Sequence, residues 1–139
     1  MSWLHWALLS ALFAGITAVL AKVGVKDIDS NLATAIRTTV VLFFAWSIVI
    51  FTGAQGVVPS IPRKTWLFLV LSGLATGLSW LCYFRALQLG EASKVAPVDK
   101  LSVVVAMAFA VLFLHEHLAW QHLVGGTLIV TGSIVLAYH

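Results

Sequence analysis

Long apolar runs alternate with short polar breaks along the 139 residues. A helix that crosses a bilayer needs about 20 mostly apolar residues. Five runs meet that length, at about 3–25, 32–52, 65–89, 95–114 and 118–138. Asp29-Ser30-Asn31 precede the second run and are residue types favoured at a helix N-cap. The break at 53–64 holds Pro59 and Pro62, so part of it must be non-helical. Gly90 stands where the third helix should stop, as a residue just past a helix end. Pro97 falls in the first turn of the fourth run, where proline is tolerated. Apart from 53–64, the connections are short. The pattern predicts an all-α, up-and-down bundle of five transmembrane helices in a single domain, 1–139, with no segment left for a soluble domain.

Composition explains why the runs face lipid. Hydrophobic residues make up 61% and charged residues 9%, against about 45–50% and about 25% in average soluble domains. A short chain cannot hide that much apolar surface inside itself. The formal charge of +3 is scattered, with no basic stripe, which excludes a nucleic-acid partner. Cys82 stands alone, so there is no disulfide framework. The first run lacks a Lys/Arg-led start and continues to Lys22, unlike a cleavable signal. The expected location is a cell membrane, with a bacterial inner membrane as the setting.

Polar residues inside the runs are sparse and ordered. In lipid, small and weakly polar side chains mark faces that meet another helix or a cavity. Ser72, Thr76, Ser79 and Tyr83 recur at i, i+4, i+7 and i+11 and share one face of the third helix. Gly73 and Gly77 run beside them. Ser10, Phe13 and Thr17 share a face in the first run, with Trp6 one turn earlier. The fourth run has Ala106 and Ala110, and the fifth has Gly125-Gly126 and Gly132-Ser133. Trp3, Trp6, Trp66, Trp120 and Tyr138 sit near run ends, as interfacial aromatics do. Trp46 and Trp80 lie deeper, and Trp80, beside Tyr83, is the better candidate for a cavity.

Charges within spans are costly, and are paired or functional where they occur. Lys22, Arg37, Arg85, Asp99 and Lys100 lie a turn or so inside predicted spans, all toward one membrane face if the spans alternate. Asp99 is the one acid among them. Two readings stand: Asp99 pairs with Arg37 or Arg85 while the lysines snorkel, or the surplus positive charge attracts an anionic group such as a carboxylate and forms a gate. No carboxylate lies near the centre of any span. His115-Glu116-His117 and His122 have ligand chemistry, but no signature spacing supports a metal site, and no cofactor is expected. If every Lys and Arg counts, the face that carries Lys22, Arg37, Arg85 and Lys100 is cytoplasmic and the N-terminus lies outside; if only loop residues count, the split is nearly even, the positive-inside bias is weak and insertion in both orientations is permitted.

At this point the residues carry a family likeness. Ala33-x-x-x-Arg37, Tyr83-x-x-Ala86-Leu87, Gly90-Glu91-Ala92-Ser93, Pro97-Val98, Glu116-x-Leu118-x-Trp120-Gln121 and the glycines of the fifth run form an ordered set. It resembles the EamA-type branch of the drug/metabolite transporter superfamily, in its short five-span form. Arg37 matches the family's recurrent arginine. The commonest family turn has Gly before the acid, where this chain has His115. Larger members have ten spans in two inverted halves around a central cavity, and this chain resembles one half. The resemblance implies two antiparallel copies with alternating access between them. Small multidrug transporters are similar more distantly. Their span-one glutamate has no counterpart here, which argues against the same proton coupling and against cationic drugs.

These readings converge on a secondary transporter, an exporter of a small-molecule metabolite, working as an antiparallel homodimer in the lipid bilayer. Trp80, Tyr83, Ser72, Thr76, Ser79 and Arg37 are the expected substrate contacts. Arg37, Arg85, Asp99 and Lys100 are the expected charge cluster of a gate. The rivals are a small dual-topology ion channel and a membrane subunit that needs a partner half. An enzyme is not expected, since no nucleophile–base pair or metal set is present and Cys82 has no activating neighbour.

Overall fold

The computed structural model describes residues 2–138. Its helices are α1 (Trp3–Gly24), α2 (Ser30–Phe51), α3 (Arg63–Leu89), α4 (Ala92–Asp99), α5 (Ser102–Leu114) and α6 (Trp120–Tyr138), with a 3-10 segment at Ala54–Ser60. No strand occurs among the described residues. Five segments are long and apolar enough to cross a membrane: α1, α2, α3, the pair α4–α5 taken as Ala92–Leu114, and α6. Within the described residues the chain falls into two compact units. One combines 2–23 with 89–138, and the other is Gly24–Gln88.

In the Gly24–Gln88 unit, the Asp29 carboxylate caps α2, accepting from the amides of Asn31 and Leu32 at 2.9 and 3.1 Å. Two of the four donors that a helix start leaves unpaired are satisfied in this way. Gly53 then turns the chain with a left-handed φ of 72°, which a residue without Cβ adopts freely. Pro59 sits in the 3-10 segment that follows, and α3 opens directly after Pro62. Hydroxyls within α2 bond back to their own helix: Thr34 to the Ser30 carbonyl, Thr38 to Thr34 and Ser47 to Phe43. Polar side chains thereby enter an apolar span without an unsatisfied donor. At the far end of α3, Gln88 Nε2 donates to the Ile28 carbonyl at 2.9 Å. This bond ties the end of α3 to the entry of α2.

The other unit holds the main departure from expectation. The fourth span is a broken helix rather than one continuous rod. Pro97 is the sixth residue of α4 and not part of its first turn, so its missing N–H leaves the Ser93 carbonyl without a helical donor. Past it the ladder tightens. The amides of Lys100, Leu101, Val103 and Val104 reach the carbonyls of Pro97, Val98, Lys100 and Leu101 at 3.0–3.1 Å, three residues back rather than four. Buried Ser133 of α6 donates its hydroxyl to the Pro97 carbonyl at 2.8 Å. Further along, a Cβ on Gly126 would lie 2.7 Å from Met107 Cε, so α5 and α6 approach closely there. Gly90 is not left-handed. Its carbonyl instead accepts from Lys22 Nζ at 2.7 Å.

α5 ends at His115, whose φ of 54° and ψ of 32° are left-handed. α6 starts at Trp120, two residues later than the pattern predicted. His122 caps it, with Nδ1 accepting from the Ala119 amide at 3.1 Å. A third-position side chain reaching back to the residue before the helix is half of a capping box.

Burial is sparse throughout. At most 11% of the most apolar window of any span is buried, and for Ala92–Leu114 the share is 0%. The buried side chains of the Gly24–Gln88 unit lie on the first turns of α2 (Ser30, Ala33, Thr34) and the last turns of α3 (Phe84, Leu87), together with Val25. The remaining apolar surface is available to lipid or to another chain.

Candidate functional site

The site begins with one arginine and two rings. Arg37 lies two turns into α2, and its guanidinium carbon sits 4.1 Å from the centre of the Trp80 ring and 5.6 Å from that of Phe84. Trp80 and Phe84 are four residues apart on α3 and so share a face. A cation over an aromatic face is attracted by the ring quadrupole, by about 2 kcal/mol or more where water is excluded.

Measured from the Gln88–Ile28 hydrogen bond, Arg37 and Trp80 are each about 12 Å along their helices, at roughly 1.5 Å per residue. The charge is therefore held level with the indole, inside the span. The guanidinium sits over the Trp80 ring. Its N–H donors lie in the plane around the edge, in the fork that matches a carboxylate. Among the described residues, no carboxylate lies within ion-pair distance of Arg37. Tyr83 lies within electrostatic reach of it.

The other predicted residues divide by what holds them. Ser72, Thr76 and Ser79 are exposed along α3. Thr76 donates its hydroxyl to the Ser72 carbonyl at 2.9 Å, which leaves its oxygen as an acceptor. Gly73 and Gly77 continue the Trp80–Phe84 row, and a Cβ on either would meet nothing within 4 Å. Open space therefore runs along this face beside the stacked arginine. The packing role that the small residues imply is seen at Gly126 and is not seen at Gly73 or Gly77 within the protomer. Arg85 bonds the Gln88 side chain, which in turn bonds Ile28. Asp99 forms its ion pair with the adjacent Lys100, at 3.6 Å, with both side chains well exposed. Such a pair contributes little.

Phe84 is the residue that pattern reading missed. Its signal was present in the four-residue spacing from Trp80, but a phenylalanine in an apolar run is indistinguishable from lipid-facing surface. Exposure does not follow predicted depth among the tryptophans, since Trp66, near a span end, is 46% exposed and the deeper Trp46 49%. Trp3 is 79% and Trp120 74% exposed, whereas Trp80 is partly covered. Trp46 does not join the site. A groove of about 330 Å³ lies between α5 and α6, lined by Val104, Met107, Leu123, Gly126 and Val130, with His122 at its edge. Its walls are almost wholly apolar, and they offer a polar solute little.

Five apolar helices with a charged and aromatic site held inside the span define a multi-pass membrane protein. The chain belongs to the EamA-like transporter family, whose profile matches residues 1–138. It is 56% identical over 136 residues to an uncharacterized transporter encoded in the cobO 3′ region of a Sinorhizobium species, covering 98% of this chain and 96% of that one. It is 29% identical over 75 residues to an uncharacterized protein of Methanocaldococcus jannaschii, covering 54% of this chain and 55% of that one. No solved structure matches it. Family and relative identify a membrane transporter rather than an enzyme.

Proposed function

We propose that the protein is a secondary transporter that exports a small metabolite by alternating access between two antiparallel copies of itself. The observation that carries this reading is the Arg37–Trp80 stack inside the span of a transporter-family chain. A charge kept at that depth marks a substrate path more often than a scaffold. The five helices act as one membrane domain, 1–139. Trp80 and Tyr83 contact the substrate, Ser72, Thr76 and Ser79 offer weak polar contacts, and Arg37 supplies charge. Arg85, Asp99 and Lys100 belong to a gate that an antiparallel pair would repeat at both faces. The sparse burial of every span supports a partner of the same kind, since one protomer covers so little of its own helices. A bacterial inner membrane is the setting.

Flux through liposomes that hold only this protein tests the reading. Transport should saturate, show counterflow, and fall at least tenfold in Trp80→Leu while Trp80→Phe keeps most of it. Large single-channel currents would establish a channel instead. Activity that appears only with a second, co-expressed protein would establish a subunit that needs a partner half.

A further inference from the structure

We infer that the substrate is a small organic anion whose carboxylate is taken by the edge of the Arg37 guanidinium while Trp80 holds its face. This inference deepens the transport reading above and rests on it.

Three observations lead there. The guanidinium sits over Trp80 with its carbon 4.1 Å from the ring centre, and its in-plane N–H donors are left for another group. Two parallel N–H donors in a fixed plane match a carboxylate in bidentate geometry, which a lysine's point charge cannot reproduce. Second, no protein carboxylate among the described residues lies within ion-pair distance to neutralise it. The acid that the sequence offered as a partner, Asp99, is paired with Lys100. An intramembrane arginine without a counter-ion leaves its charge to be matched by what passes through. Third, Arg37 lies two turns into α2 rather than at its end, which favours an anion carried in by a solute over a lipid phosphate. The open row at Gly73 and Gly77 gives room beside the stack for the rest of such a solute.

The class also follows from what is missing. Asp99, paired with Lys100, is the one acid within a span among the described residues, and no Asp or Glu lies deeper to hold an amine. Tyr83 and the hydroxyl oxygens of Ser72 and Thr76 serve a neutral polar remainder, but none of them balances a cation.

The test uses the full-length protein in liposomes loaded with benzoate, benzamide, benzylamine, lactate and lactamide, with loss of each compound followed by mass spectrometry against protein-free vesicles. The carboxylates should leave in a protein-dependent way, and Arg37→Gln should slow them at least tenfold. Arg37→Lys should retain an intermediate rate, because it keeps the charge and loses the fork. Elution as a single species from size exclusion checks that both variants are folded. Protein-dependent loss of the amides or the amine without the carboxylates overturns the anion assignment and leaves the transport reading standing. So does carboxylate flux that Arg37→Gln leaves unchanged. No protein-dependent loss of any compound overturns both.

Discussion

Two residues show opposite relations between sequence and geometry. His115 holds a left-handed backbone at φ 54°, where a side chain costs roughly 1–2 kcal/mol. Its family counterpart is commonly glycine, and the geometry supplies the physical reason, because the turn that ends α5 needs a residue free to take positive φ. His115→Gly should therefore raise stability by about 1 kcal/mol, read as a higher midpoint of thermal unfolding in detergent. A lower midpoint would mean that the imidazole makes a contact worth more than the strain. Arg37 is the converse case. Its charge inside an apolar run was conspicuous in the sequence, but its partner was not. Candidate partners were acids, because opposite charges are what a sequence displays, whereas the observed partner is the face of a tryptophan. Cation–π pairing leaves no trace in charge patterning, and only helix register shows that Trp80 and Phe84 face the same way.

The apolar runs predicted every membrane-spanning segment, and the ends moved by a few residues where caps decide them. The Asp29 cap was legible because it is local. The His122 cap was not, since histidine is no usual capping residue and its approach to Ala119 depends on the first turn of α6. The break between α4 and α5 was hidden for another reason. Pro97 is tolerable in a first turn and disruptive in a sixth position, and a three-residue difference in where the helix starts decides between them. Ser133 then stabilises the break from α6 by donating a second hydrogen bond to the Pro97 carbonyl, which also accepts from the Lys100 amide. Ser133→Ala should lower stability by about 1 kcal/mol and loosen the packing of α4 on α6. Hydrogen exchange at the Lys100–Val104 amides should rise in that variant. Unchanged exchange there would show that the break depends on Pro97 alone.

For the whole molecule, the sequence spoke clearly about the membrane and indirectly about assembly. Composition alone required lipid contact, and the structure leaves almost every span uncovered by the protomer. What completes it depends on orientation, and the near-even split of Lys and Arg between the loops of the two faces, with Arg37, Arg85 and Lys100 set aside as intramembrane, bears on that. A single protein that inserts both ways up can build an inverted pair from one sequence. An antiparallel pair would carry an Arg37–Trp80 stack from each copy, one toward each face, as alternating access requires. The decisive measurement is the location of the C-terminus, tagged and labelled from each side in intact cells and in opened vesicles. Comparable labelled fractions from the two sides are the predicted result. Labelling from one side only would contradict the antiparallel homodimer and leave this protein to work with a different partner half.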